Sequence, residues 1–132
     1  MVGIVDHPIE DVKISDVYLH QQGGAGAAIA ALQPPIKEDA YPDPGIYGDL
    51  PATGFYLRHV RNLEVSNVEV ATEAADARAA FCLQDVEDAD FFRVRVPRGS
   101  TAFDLRAARN FRSFGSLSAP DTSFDTAQNQ KI

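Results

Sequence analysis

The sequence predicts an all-β chain wound as a short solenoid, and three observations carry that expectation. First, the stretch 55–70 places apolar residues at Phe55, Leu57 and Val60, then Leu63 and Val65, then Val68 and Val70. They alternate with polar residues as half-buried strands do. Second, the polar pairs Arg61-Asn62 and Ser66-Asn67 part these short pieces at positions suited to sharp corners. Third, the pattern returns: a shift of 26 lays Phe81, Leu83, Val86, Ala89, Phe91, Val94 and Val96 on the same places. A further shift of 22 gives Phe103, Leu105, Ala108, Phe111 and Ser113, and a backward shift of 51 gives Ile4, Ile9, Val12, Ile14, Val17 and Leu19. Shifts of roughly 20 to 50 residues mark solenoids and arrays.

Taken in order, the chain reads as one domain with coils near 4–19, 55–70, 81–96 and 103–117. The first coil begins without a cap. That predicts either further coils before it or a partner, this chain or another, docked on its open end. Residues 20–54 interrupt the repeat: Gly23-Gly24-Ala25-Gly26 reads as a flexible turn, Ala27–Leu32 has room for one or two helical turns, and Pro34-Pro35 ends them. No Lys-Ser/Thr follows the glycines, which argues against a phosphate loop. Residues 71–80 and Pro97–Ser100 are short connections, and 118–132 is a polar tail that ends as an edge strand or frays. Asp11, Asn62, Asp88 and Asn110 fall at one corner and are expected to form a structural ladder, since Asn and Asp tolerate the left-handed region. Phe55, Phe81 and Phe103 are expected to stack inside.

Composition excludes several classes. With 132 residues, a net charge of −7 and a pI near 4.8, the chain lacks the basic stripe a general nucleic-acid binder needs. No run of about 18 apolar residues predicts a membrane span, and no basic-then-apolar leader is visible. The lone Cys82 has no disulfide partner, and strict alternation between Phe81 and Leu83 turns it outward. His7, His20 and His59 are too scattered for a zinc set, so neither metal nor cofactor is expected.

The runs His7-Pro-Ile-Glu-Asp-Val-Lys-Ile-Ser-Asp-Val17, Glu38-Asp-Ala-Tyr-Pro-Asp-Pro-Gly45, Gly48-Asp-Leu-Pro-Ala-Thr-Gly-Phe-Tyr-Leu-Arg-His-Val-Arg-Asn-Leu63, Asp76-Ala-Arg-Ala-Ala-Phe81 and Leu83-Gln-Asp-Val-Glu-Asp88 resemble bacterial family 28 glycoside hydrolases, the polygalacturonase-like enzymes. The resemblance spans nearly the whole chain and matches the C-terminal third or so of such a protein. It implies a right-handed parallel β-helix, a pectin-type polysaccharide as substrate, and an exported protein. The family's catalytic part implies an Asn-X-Asp, an Asp-Asp pair, a Gly-His-Gly and an Arg-X-Lys, and none occurs here. Inverting glycosidases need an acid and a base carboxylate about 6.5–9.5 Å apart. This chain is therefore expected to be the non-catalytic end of such an enzyme, with no catalytic residue of its own. The alternative is a carbohydrate-binding or assembly module that docks through its first coil.

Two constellations invite a sharper reading. Arg58-His59 leaves a strand beside the aromatic insertion. The simpler expectation is that Arg58 pairs with an acidic neighbour such as Asp39 or Asp49 and holds the insertion down. The sharper one is a sugar subsite of Tyr41, Tyr47, Tyr56, Arg58 and His59, with a tyrosine stacked on a pyranose ring. The acidic run Asp85, Glu87, Asp88, Asp90 reads first as corners and a solvated face, because strand alternation spreads these carboxylates too far apart for a calcium loop.

Overall fold

The computed structural model describes residues 1–37 and 44–132 and is all-β, with one sheet of five strands in the order β1-β2-β3-β4-β5. These are β1 (Ile9–Gln21), β2 (Ala52–Thr72), β3 (Ala79–Arg95), β4 (Phe103–Phe114) and β5 (Thr122–Lys131). A short helix, α1 (Ala27–Ala30), and a 3₁₀ turn (Pro44–Tyr47) lie between β1 and β2. The first three pairings are parallel and the last is antiparallel, so the sheet is mixed.

The register is the one the repeat predicts. Val60 pairs with Ile9 on one side and Val86 on the other, Leu57 with Leu83, and Phe81 with Phe103. The Phe55 and Phe81 rings stack 5.2 Å apart and nearly coplanar, and Phe81 and Phe103 follow at 5.5 Å. These spacings match the distance between neighbouring strands.

The strands do not run straight. Phe81 and Phe91 are ten residues apart in β3, which would separate them by about 33 Å in an extended strand. Their rings instead meet edge to face at 5.2 Å, and Phe103 and Phe111 of β4 do the same at 5.2 Å. Both of these strands therefore fold back around a shared interior. The bends sit at residues with positive φ: Asp11 and Asp16 in β1, His59, Asn62 and Asn67 in β2, Asp85, Asp88 and Arg93 in β3, and Asn110 in β4. A single left-handed residue breaks the two-residue alternation, which is why Val60 and Leu63, and then Val65 and Val68, all face inward. The interior holds Leu57, Val60, Leu63, Val65, Phe81, Leu83, Phe91, Phe103, Leu105 and Phe111, all essentially buried.

The expected corner ladder forms as two bonded pairs. Asn62 Nδ2 donates to Asp11 Oδ1 at 2.7 Å, and Asn110 Nδ2 donates to Asp88 Oδ1 at 2.6 Å. Asn67 makes a third such bond to Asp16 at 3.2 Å. The corner at His59 and Asp85 was not anticipated: Asp85 is a residue type that suits a bend, but His59 opposite it does not mark one as Asn or Asp does. Ile4 also departs from expectation. It does not lie over Phe55 but makes an antiparallel bridge to His7, and Val2 instead bridges to Arg58. The polar tail is the edge strand β5, seated on β4 through Phe124 opposite Phe111 and the buried Ala127 opposite Ala108.

Replacing Leu83 by Ala should lower unfolding stability by about 2–5 kcal/mol, since it opens a void in a fully buried column. At the corner, Asn62→Ala should cost about 1–2 kcal/mol through the lost bond and the left-handed backbone, whereas Asn62→Gly should lose only the bond. Urea unfolding of the three variants tests both statements, and equal losses for the Ala and Gly variants at 62 would refute the second.

Candidate functional site

The outward face of β2, β3 and β4 ahead of their first bends carries Tyr56 and Arg58, Cys82 and Gln84, and Asp104 and Arg106. Alternation alone sends these side chains to solvent. Instead the 20–54 excursion covers them. Tyr56 and Arg58 are each 3% exposed and Cys82 is 0% exposed, and Tyr56 and Cys82 form a second small apolar cluster with Ala52, against which Val2 and Leu50 pack. The outward orientation expected for Cys82 holds only relative to the main core.

Two arginines fasten the excursion. Arg106 donates from Nη2 to Ala30 O at 2.9 Å and from Nη1 to Leu32 O, carbonyls that a helix end leaves without partners. Its Nε lies 3.1 Å from Asp104 Oδ2, an ion pair with both side chains 8% exposed. Arg58 donates to Pro34 O at 3.0 Å and Pro35 O at 3.2 Å, and its guanidinium lies 5.8 Å and 6.0 Å from the ring centroids of Tyr47 and Tyr56. Arg58 thus does hold the excursion down, but through carbonyls and rings. Asp49 bears instead on Arg78, whose charge it favours, and Asp39 lies outside the described residues.

Of the expected sugar subsite, Tyr47, Tyr56 and Arg58 come together, with Arg58 between the rings. Tyr56 donates its hydroxyl to Gln84 Oε1 at 2.9 Å, and burial raises its pKa. Neither Tyr56 nor Arg58 offers a face to a pyranose, which corrects that expectation for these two. Tyr41 lies outside the described residues. His59 stands apart on the next corner, with Nδ1 2.7 Å from Asp85 Oδ2. Burial pushes the Asp85 carboxyl upward, but the hydrogen bond from His59 and the Arg61 guanidinium outweigh it, and its pKa falls below the ordinary carboxylate value. A carboxylate holding one ring nitrogen orients the other, so His59–Asp85 is the arrangement nearest to an acid–base pair among the described residues.

The acidic run resolves into cross-strand partners. Arg61 and Arg109 reach Glu87 at 3.0 and 2.7 Å, and Arg112 reaches Asp90 at 2.6 Å. Solvent screens these exposed pairs, so each contributes little to stability. No cluster of three potential metal ligands occurs among the described residues.

Asp76 ties the base of the excursion to the β2–β3 connection. It accepts from Ala25 N at 3.1 Å and from Arg78 N and Nε at 2.9 and 3.0 Å, and the Arg78 hydrogen bond chiefly brings its pKa down to about 2, against desolvation. Asp104, Arg106 and Asp76 escaped sequence reasoning. Asp104 and Arg106 bracket Leu105 at strand period and look solvent-facing, and nothing local announces the segment that covers them. Comparison with protein-family models, curated proteins and solved structures returns no match for this chain.

Burial pushes the Cys82 thiol up to about 12, Arg106 lowering it and Asp104 raising it further. Cys82 should therefore resist disulfide reagents in the folded protein. Arg106→Met, by freeing the Ala30 and Leu32 carbonyls, should speed its labelling at least severalfold and raise hydrogen exchange in 29–32. Unchanged labelling in Arg106→Met would show that the excursion is held by other contacts. Because the Asp76 pKa is depressed, its contribution is complete above about pH 4 and is lost as pH falls toward 2. Asp76→Asn should thus be less stable than the parent by about 1–2 kcal/mol at pH 7, with the gap closing over that window in acid unfolding titrations.

Proposed function

We propose that this chain is the closing, non-catalytic end of a polygalacturonase-like right-handed parallel β-helix that acts on a pectin-type polysaccharide. The observation that carries this reading is the difference between the two ends of the sheet. From β2 to β4 the inward side chains other than Phe55 are buried, whereas in β1 the equivalent Ile9, Val12, Ile14, Val17 and Leu19 are only half-buried. β1, 13 residues long, is also an edge of the sheet, with no strand paired to its outer side among the described residues. At the other end β5 turns antiparallel and lays polar residues over β4. An antiparallel polar strand over β4 and a half-covered apolar column in β1 support a stack whose further parallel coils would lie on the β1 side. Folded-back strands in parallel register support a β-helix, and parallel crossovers are right-handed in about 98% of cases. The resemblance of 7–17, 38–63 and 76–88 to family 28 supplies the substrate class.

In this role the chain completes the core and carries the 20–54 excursion at the side of the helix, while the acid and base carboxylates belong to other coils. The same open edge favours a second reading, a carbohydrate-binding or assembly module that docks a partner on β1.

Reading the coding DNA upstream of Met1 separates the two. In-frame coils bearing the paired carboxylate motifs are expected, and a stop codon directly upstream would leave the docking module. The chain by itself should release no reducing ends from polygalacturonate, and release that survives purification to homogeneity would overturn the non-catalytic assignment.

A further inference from the structure

The strands carry an alternation of charge that stacking apolar columns does not require. At the first corner the residues read Glu10-Asp11 in β1, Arg61-Asn62 in β2, Glu87-Asp88 in β3 and Arg109-Asn110 in β4. Each acidic pair thus lies beside a basic–amide pair. At the edge of the sheet, β1 has such a neighbour on one side only. We propose that the free edge of β1 recognises one kind of strand, a parallel coil that sets a lysine or arginine opposite Glu10 and an asparagine opposite Asp11. That a parallel coil lies there rests on the function proposed above; what it must carry at these two positions does not.

Glu10 lacks what its equivalent in β3 has. Glu87 is held from both sides, by Arg61 at 3.0 Å and Arg109 at 2.7 Å. Glu10 stands opposite Arg61 in register, yet Arg61 turns the other way, onto Glu87 and Asp85. Glu10 is exposed and forms no ion pair among the described residues. A cation on the outer side of β1 gives Glu10 the partner that Arg109 gives Glu87. Opposite charges directly across two strands stabilise the pairing, and like charges do the reverse.

The corner narrows the choice further. Asp11, Asn62, Asp88 and Asn110 all have positive φ, so a coil that follows the same bend needs Asn, Asp or Gly there. An aspartate would set two carboxylates one strand spacing, about 4.8 Å, apart. A glycine would bring no donor. Among the described residues Asp11 accepts from Asn62 at Oδ1, and nothing bonds its other oxygen. An asparagine both takes the bend and supplies the amide.

Selectivity is confined to this corner. One row further on, Glu64 stands opposite Asp90, each held by a cation on its far side, Lys13 and Arg112. Lys13 already has its acid, so that row demands nothing of the next coil. The half-buried Ile9, Val12 and Ile14 ask only for apolar partners.

The folded chain is titrated with three peptides built on residues 60–70: the parent, with Arg-Asn at the corner, one with Glu-Asn there and one with Glu-Asp. Hydrogen exchange of residues 9–19 reports binding, and a spin label on the first peptide residue reports direction. The parent should slow exchange in 9–19 and bind roughly fivefold more tightly than the Glu-Asn peptide, with the Glu-Asp peptide weaker still. The label should broaden amides near Ile9, as a parallel strand requires. Glu10→Gln, at an exposed site, should keep the melting temperature and bring the first two peptides to near parity. No protection by the parent, equal binding of all three, antiparallel attachment, or a preference unmoved by Glu10→Gln would each overturn the proposal. So would protection of 9–19 that grows with chain concentration alone, which would give the edge to a second copy. Upstream coils bearing Glu-Asp at this corner would refute the signature and leave the proposed function standing. A stop codon there would remove that function and leave the peptide preference intact.

Discussion

Everything in this chain depends on bending a strand without breaking its pairing. A left-handed residue does this: it reverses the side-chain alternation and changes the strand's direction while the neighbouring strand follows through an equivalent bend. The equivalent positions must then carry residues that accept the conformation together. Asp11 with Asn62, Asp16 with Asn67, and Asp88 with Asn110 do so, and each pair adds a side-chain bond across the strands. Only because the bends coincide can Phe55, Phe81 and Phe103 lie over one another and Phe91 turn back to meet them.

Polar groups divide into two energetic classes. On the outer surface the ladders Lys13–Glu64, Arg109–Glu87 and Arg112–Asp90 are solvated and contribute little individually. Under the excursion, Arg106 and Asp104 are removed from water, and taking away one partner of such a pair typically costs about 3–5 kcal/mol. The excursion is consequently fixed at a few points: Ala25 through Asp76, Ala30 and Leu32 through Arg106, and Pro34 and Pro35 through Arg58. Two arginines can do this because a proline pair and a one-turn helix leave carbonyls that no backbone N–H claims.

Most of the register was legible because a repeat is redundant: Leu57, Leu83 and Leu105 announce one another at fixed shifts. The antiparallel direction of β5 was not, since it rests on only Phe124 and Ala127 and has no copy elsewhere. The anchoring site was half legible. Arg58 was expected to hold the insertion down through an acidic neighbour such as Asp39 or Asp49, but its hydrogen-bond partners are the Pro34 and Pro35 carbonyls, a group every sequence contains and none advertises. Cys82, Asp104 and Arg106 obey strand alternation and still end up buried, because a segment distant in sequence decides what covers the outward face. Periodicity reports which way a side chain points from its own strand. It carries no information about what arrives there later.

The carboxylates bear on chemistry through the direction of their shifts. A general acid in glycoside hydrolysis needs a raised pKa so that it stays protonated near neutrality. Asp76 and Asp85 move the opposite way, each held ionised by an arginine, and Asp85 by a histidine as well. Asp88, Asp90 and Glu87 accept bonds from Asn110, Arg112 and Arg109. A carboxylate fixed in this way stabilises the turn or ladder it sits in. The bonds that fasten Asp76 and Asp85 into the fold therefore also hold them ionised, the opposite of what a general acid requires.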